Sequence, residues 1–201
     1  MTKTFFIADT HFNHEDCIQF DHRPFRDVEH MWYHMRDAWN KAVDKNDVVY
    51  ILGDMFWSRE PGLATHLLKQ LNGQKRLIKG NHDQFLKNTA VKSQFQVIRD
   101  YEEVEVDGKR LILSHFPLAS WKYMKGLNDD REGAYIHLHG HVHMSREFYD
   151  YQKCLEIMNG SGKVPLKAYN VGCMCPWINY VPRTLEEIER GVKHWHDLLY
   201  K

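Results

Sequence analysis

Five short polar clusters hold the residue types best suited to metal or acid–base chemistry. They are Asp9-Thr10-His11, Gly53-Asp54, Gly80-Asn81-His82-Asp83, His115 and His141-Val142-His143. Aspartate and histidine bind divalent transition ions through oxygen and imidazole nitrogen, and an asparagine carbonyl adds a neutral oxygen. A carboxylate has two oxygens and can bridge two ions. Two ions held about 3.5–4 Å apart can share a hydroxide and clamp the oxygens of a phosphate. Histidine is also the usual acid or base near neutral pH, and this chain of 201 residues has 14. Taken singly, these aspartates and the asparagine suit turns and helix caps equally well. Turn chemistry gives no reason for the repeated pairing of the same types.

The elements that must position these clusters can be read from periodicity. Residues 4–8, 47–52, 76–79, 109–113 and 134–138 are apolar runs that each stop at one of the clusters, as buried strands would. Ligands in open α/β sheets bind beyond the carboxyl ends of the strands, so clusters far apart in sequence can converge there. Glycines at 53, 80 and 140 allow sharp turns and close backbone approach. Helices are predicted over 27–43, capped by Asp27, and over 62–71. A third is predicted over 184–199, where Thr184 and Glu187 form a capping box, and a weaker helical pattern covers 84–95. Residues 101–106 and 109–113 flank Asp107-Gly108 as a hairpin. Residues 117–133 read as a long connection, 144–163 as a polar, glycine-containing excursion, and 167–171 as a further strand. Together these predict one α/β domain over 1–201, a layered mixed β-sheet or two-sheet sandwich flanked by helices.

The blocks DTH (9–11), GD (53–54), GNHD (80–83), His115 and GHVH (140–143) resemble, in order, the five signature blocks of calcineurin-like metallophosphoesterases. The chain is also similar to a small-phosphoesterase subgroup of bacteria and phages, through His14, Arg23-Pro24-Phe25, Pro117, Trp121, Leu138-His139 and Asn170-Val171-Gly172. The resemblance implies the calcineurin-like fold and two divalent ions, with manganese the first expectation and iron, zinc or nickel compatible. It implies that Asp9, His11 and His143 hold one ion, that Asn81, His115 and His141 hold the other, and that Asp54 bridges them. It implies that His82 protonates the leaving oxygen or stabilises the transition state, and that Asp83 orients the His82 ring.

Other residues carry two readings each. His14 either touches a substrate phosphate or supports the ligands, or else is a loop histidine bonded to backbone. Arg23 offers a guanidinium fork to a substrate phosphate, or is a solvated surface arginine. Trp121 and Trp177 lie in loops where stacking on a base is conceivable. Lys plus Arg and Asp plus Glu both number 27, and this neutral balance argues against a stable nucleic-acid complex. No run of about 18 apolar residues offers a membrane span. The N-terminus lacks the apolar segment of a signal peptide. Cys17, Cys154, Cys173 and Cys175 form no disulfide framework, which points to a reduced, cytoplasmic protein.

The resulting expectation is a phosphoesterase acting on a small phosphorylated substrate, first a small phosphodiester such as a cyclic nucleotide, through a hydroxide bridging two ions. Protein phosphatases of the superfamily carry GDxVDRG and GNHE, where this chain has GDMFWSRE and GNHD. The rivals are a metal-dependent nuclease, a phosphomonoesterase, and a scaffold of the same fold without catalysis.

Overall fold

The computed structural model describes residues 2–57, 61–121, 135–160 and 166–199. Two sheets form its frame. The first has strand order β4-β3-β2-β1-β9, made of β1 (Thr4–Ile7), β2 (Val48–Ile51), β3 (Gln74–Ile78), β4 (Val97–Arg99) and β9 (Arg183–Thr184). The second has order β5-β6-β7-β8, made of β5 (Tyr101–Val106), β6 (Lys109–Ser114), β7 (Tyr135–His139) and β8 (Lys167–Asn170). Strands β1 to β4 are mutually parallel, and so are β6, β7 and β8. The carboxyl ends of both parallel sets therefore lead into the polar clusters. Parallel strands covered on both faces need continuous apolar runs, which explains the uninterrupted burial of Phe5-Phe6-Ile7 and Val49-Tyr50-Ile51.

Helices α1 (Asp16–Phe20), α2 (Val28–Ala42), α3 (Pro61–Gln70), α4 (Thr89–Lys92), α5 (Arg146–Gly160) and α6 (Leu185–Leu199) connect or cover the strands. In α2 the Asp27 carboxylate accepts the His30 N–H at 2.7 Å, and Met31, Trp32, Met35 and Trp39 form its buried face. Fully burying such side chains stabilises the fold by roughly 1.5–3 kcal/mol each. At the start of α6 the Thr184 N–H donates to Glu187 Oε2 at 2.8 Å, and the Glu187 N–H returns to Thr184 Oγ1 at 3.4 Å. This is the expected capping box. The hairpin also forms, with Asp107 and Gly108 both at positive φ as its tight turn requires.

Three expectations need correction. Residues 146–160 are not an irregular excursion but helix α5, anchored by buried Phe148 and Leu155. Residues 84–95 are not one helix. A 3-10 turn, Gln84–Lys87, is separated from α4 by Asn88, whose side chain caps α4 instead of continuing the first turn. The short strand β4 was not anticipated. Most of the connection predicted over 117–133 lies outside the described residues.

A core cluster draws residues from both sheets and from most of the helices. The sheets are also joined by backbone hydrogen bonds beside the site: Ala8 N–H to Val171 O at 2.8 Å and Cys173 N–H to Ala8 O at 2.8 Å. The four cysteines are free, and burial pushes the Cys173 thiol up to about 12. No helix among the described residues is long and apolar enough to cross a membrane.

Candidate metal centre

Each candidate ligand sits just past a strand end. Asp9 and His11 follow β1, Asp54 follows β2, Asn81 follows β3, His115 follows β6, and His141 and His143 follow β7. Five of these seven residues (Asp9, His11, Asp54, His141 and His143) have φ between 47° and 70°. Non-glycine residues rarely adopt this left-handed conformation, and its cost is characteristically borne at functional sites.

Close packing of backbones makes the convergence feasible. A Cβ at Gly80 would fall onto the Asp54 carboxylate and 2.5 Å from the Asp54 nitrogen. A Cβ at Gly53, whose φ is +87°, would fall on the His115 ring. These two glycines bring the ends of β2 and β3 and the His115 ring within ligand reach of one another.

Two sets of donors result. Asp9, His11 and His143 offer ligand atoms all within 4.8 Å of one another, and so do Asp54, His115 and His141. A single oxygen, Asp54 Oδ2, lies 3.9 Å from His11 Nε2 and 3.4 Å from His115 Nε2, so the two sets meet on one carboxylate. Asn81 Oδ1 lies 3.0 Å from His115 Nε2, placing its carbonyl beside the second set. His11 Nε2 is buried and has no hydrogen-bond partner. A buried polar atom left unpaired is costly, and a divalent cation suits it and the surrounding oxygen and imidazole donors. The donor set therefore fits the divalent ions that the family signature implies.

Neighbouring groups fix the rings. His115 Nδ1 donates to Leu52 O at 2.8 Å, leaving Nε2 toward Asp54 and Asn81. His143 Nδ1 donates to Asp21 Oδ1 at 2.7 Å, leaving its Nε2 as the nitrogen available to an ion. The His141 N–H donates to both Asp9 oxygens at 3.1 and 3.0 Å, and the His82 N–H donates to Asp54 Oδ1 at 2.8 Å. Burial pushes the Asp9 carboxyl up and holds His11 down at about 2. Burial also works against the charge on Asp54 and His115, but their mutual hydrogen bond and attraction outweigh it. Among protein groups alone, Asp54 sits at about 2 and His115 at about 9.

The structure brings His82 to the rim, its ring 5.9 Å from that of His11. Asp83 does not orient that ring. Its carboxylate instead accepts three backbone N–H groups, from Gly80 at 2.7 Å, Met55 at 2.9 Å and Asp54 at 3.2 Å. Burial raises it to about 6 against the lowering effect of those N–H groups. Asp83 thus ties the loop after β2, which carries Asp54, to its own loop after β3, which carries His82.

Arg23 is likewise neither a phosphate contact nor a surface residue. It is buried under the centre, donating to Asp9 O at 2.9 Å, Thr10 O at 2.8 Å and Asp21 Oδ2 at 2.7 Å. All three acceptors are internal, so its fork is not free for a substrate. His14 lies against the first donor set, with Nδ1 3.4 Å from His11 Nδ1, but Trp57 stacks on its face at 4.0 Å and only 8% of it is exposed. Trp121 packs on His137, and Trp177 donates to Asn170 O at 2.7 Å; both are buried.

Sequence reasoning missed Asp21, which joins His143 to Arg23. Its only signal is the two-residue spacing to Arg23. Asn170 supports the centre through its Nδ2, which donates to His143 O at 2.6 Å.

A family model for calcineurin-like phosphoesterases matches residues 2–159. The chain is 38% identical over 149 residues to uncharacterized protein MJ1445 of Methanocaldococcus jannaschii, covering 74% of each chain. It is 29% identical over 168 residues to the gene 66 protein of Mycobacterium phage D29, covering 71% of this chain and 79% of that one. Among solved structures it resembles AQ665 of Aquifex aeolicus, a protein of unknown function. That match has a TM-score of 0.66 and 27% identity, covering 94% of this chain and 99% of the other.

Proposed function

This chain belongs to the calcineurin-like phosphoesterase family, and from that premise we propose that it hydrolyses a small phosphodiester, such as a cyclic nucleotide, at a centre of two divalent ions. The observation that carries the reading is the meeting of the two donor sets on Asp54 Oδ2 beneath the His82 rim. In this reading Asp9, His11 and His143 would hold one ion, Asn81, His115 and His141 would hold the other, and Asp54 would serve both. Manganese is the expected metal, though the donors also suit iron, zinc or nickel.

When bound, the ions supply activation of the attacking water and neutralise charge on the phosphoryl oxygens. The protein's own groups do the rest. His82, half-exposed at the rim, hands a proton to the leaving oxygen. Its backbone N–H fixes the Asp54 carboxylate. Asp21 and the Leu52 carbonyl hold His143 and His115 with Nε2 available to metal. The absence of the GDxVDRG block supports a small ester over a phosphoprotein substrate. We take residues 1–201 as one domain acting in a reducing cytoplasm, in keeping with its free thiols.

One observation favours a second reading, a nuclease. A cleft of about 610 Å³ alongside Gly80 and Asn81 is lined by Lys79, Lys87, Lys92 and Arg99. Lys79 is paired with Asp100 at 2.6 Å, but the cleft is basic on balance and could follow a phosphate backbone.

The test is a panel of 2′,3′-cyclic, 3′,5′-cyclic and linear diesters, monoesters and single-stranded oligonucleotides, with manganese-loaded and chelated protein. The reading predicts manganese-dependent cleavage of small diesters ahead of monoesters and oligonucleotides. Preference for oligonucleotides supports the nuclease, and inertness to every ester contradicts both.

A further inference from the structure

Eight large hydrophobic side chains are exposed among the described residues, and three of them surround the metal centre. Phe20 lies 5.6 Å from the His143 ring, Phe116 lies 4.5 Å from the His141 ring, and Trp57 lies 4.5 Å from the His82 ring. Each neighbours a different residue of the site, and Phe20 and Trp57 also share His14 as a neighbour, at 5.7 and 4.0 Å. Scattered exposed aromatics need no explanation, but a group of them around a polar pocket marks a ligand surface.

Trp57 makes the closest ring contact of the three, 4.0 Å to His14. Its backbone N–H donates to Phe12 O at 2.8 Å, and Asn13 Nδ2 donates to its backbone carbonyl at 3.3 Å. The indole lies parallel to the His14 ring, 4.0 Å away with a 6° interplanar angle, while 41% of the residue stays exposed. His14, which contacts both His11 and Trp57, is thereby a positioning residue for the indole.

We propose that Trp57 is a stacking platform for a planar aromatic group on the substrate, a nucleobase in the first instance, and that it sets specificity for base-bearing phosphate esters. The proposal rests on the phosphoesterase reading of the same centre. Its position follows from His82: the group nearest the leaving oxygen is the group nearest Trp57. Stacking of a base on an aromatic side chain tolerates any base, because every base has a π face.

The test is calorimetric binding of adenosine 5′-monophosphate and of ribose 5-phosphate to manganese-loaded protein. The two share ribose and phosphate, and the first adds the base. Wild type should bind the nucleotide about tenfold more tightly, a ratio within the range of one stacked base. Trp57→Ala should bring the ratio to about one, and Trp57→Phe should retain most of it. Equal binding of the two ligands by wild type, or a ratio that survives Trp57→Ala, overturns the platform and leaves the phosphoesterase reading standing. Failure of both ligands to bind wild type also overturns the platform, while the phosphoesterase reading is decided separately by the ester panel.

Discussion

His82 contributes to the site in two separable ways. Its backbone N–H holds Asp54 Oδ1, and its ring faces the rim. Replacing the ring therefore leaves Asp54 in place. His82→Ala should retain its metal while losing about 10²–10⁴-fold in turnover on alkyl esters, and much less on p-nitrophenyl esters, whose leaving group needs little protonation. Metal analysis beside kinetics on the two ester types checks this, and an equal loss on both would remove His82 as the acid. Asp21 acts at one remove, through His143 and Arg23. Asp21→Ala should weaken manganese binding about 10–100-fold, the usual cost of losing a partner behind a metal-binding histidine. Asp21→Asn, which keeps an acceptor for His143 Nδ1, should recover part of that loss. Unchanged affinity in a manganese titration of Asp21→Ala would dismiss the role. At this scale the candidate donors, six of which the fold gathers into two sets, stood out through the family blocks they resemble, each at a strand end. Arg23 and Asp83 were misread because sequence shows a charge but not its partners: one pairs with backbone carbonyls, the other with backbone N–H groups.

Among the elements, the strand ends do the positioning and the glycines set how closely they approach. Gly80→Ala should drive its new methyl into Asp54. The expected outcome is a loss of about 1–3 kcal/mol in stability from overpacking, with weaker manganese uptake, read by urea unfolding and metal titration. Strand β7 makes a pH-dependent contribution through His137, whose Nδ1 donates to Ile112 O at 2.9 Å and whose Nε2 accepts the Leu118 N–H at 3.1 Å. Burial holds its pKa down at about 4. As pH falls from about 6.5 toward 4, the unfolded chain takes up a proton that the folded chain refuses. Stability is thus full above that window and declines through it on acidification. In urea unfolding with chelator, His137→Gln should show a shallower decline than wild type, by at most about 1.4 kcal/mol per pH unit. Parallel slopes would contradict the assignment. The apolar strands and long amphipathic helices were legible from their periods. Helix α5 was not, because its polar faces and terminal Asn159-Gly160 resemble loop composition. Strands β4 and β9 are too short to show alternation, and both exist by pairing with β3 and β1.

The whole molecule brings two sheets together so that their strand ends share one acidic and imidazole-rich junction, closed by the Ala8–Val171 and Cys173–Ala8 bonds. The sheet frame followed from strand patterns, but the joining of two sheets at Ala8 and Gly172 is a long-range contact that no local pattern encodes. The account depends on this junction holding two ions with Asp54 common to both. Metal content after manganese saturation and desalting, measured by inductively coupled plasma mass spectrometry, tests that directly. Two manganese ions per wild-type chain and loss of both in Asp54→Ala is the predicted result. A single ion in wild type, or two retained by Asp54→Ala, would contradict it.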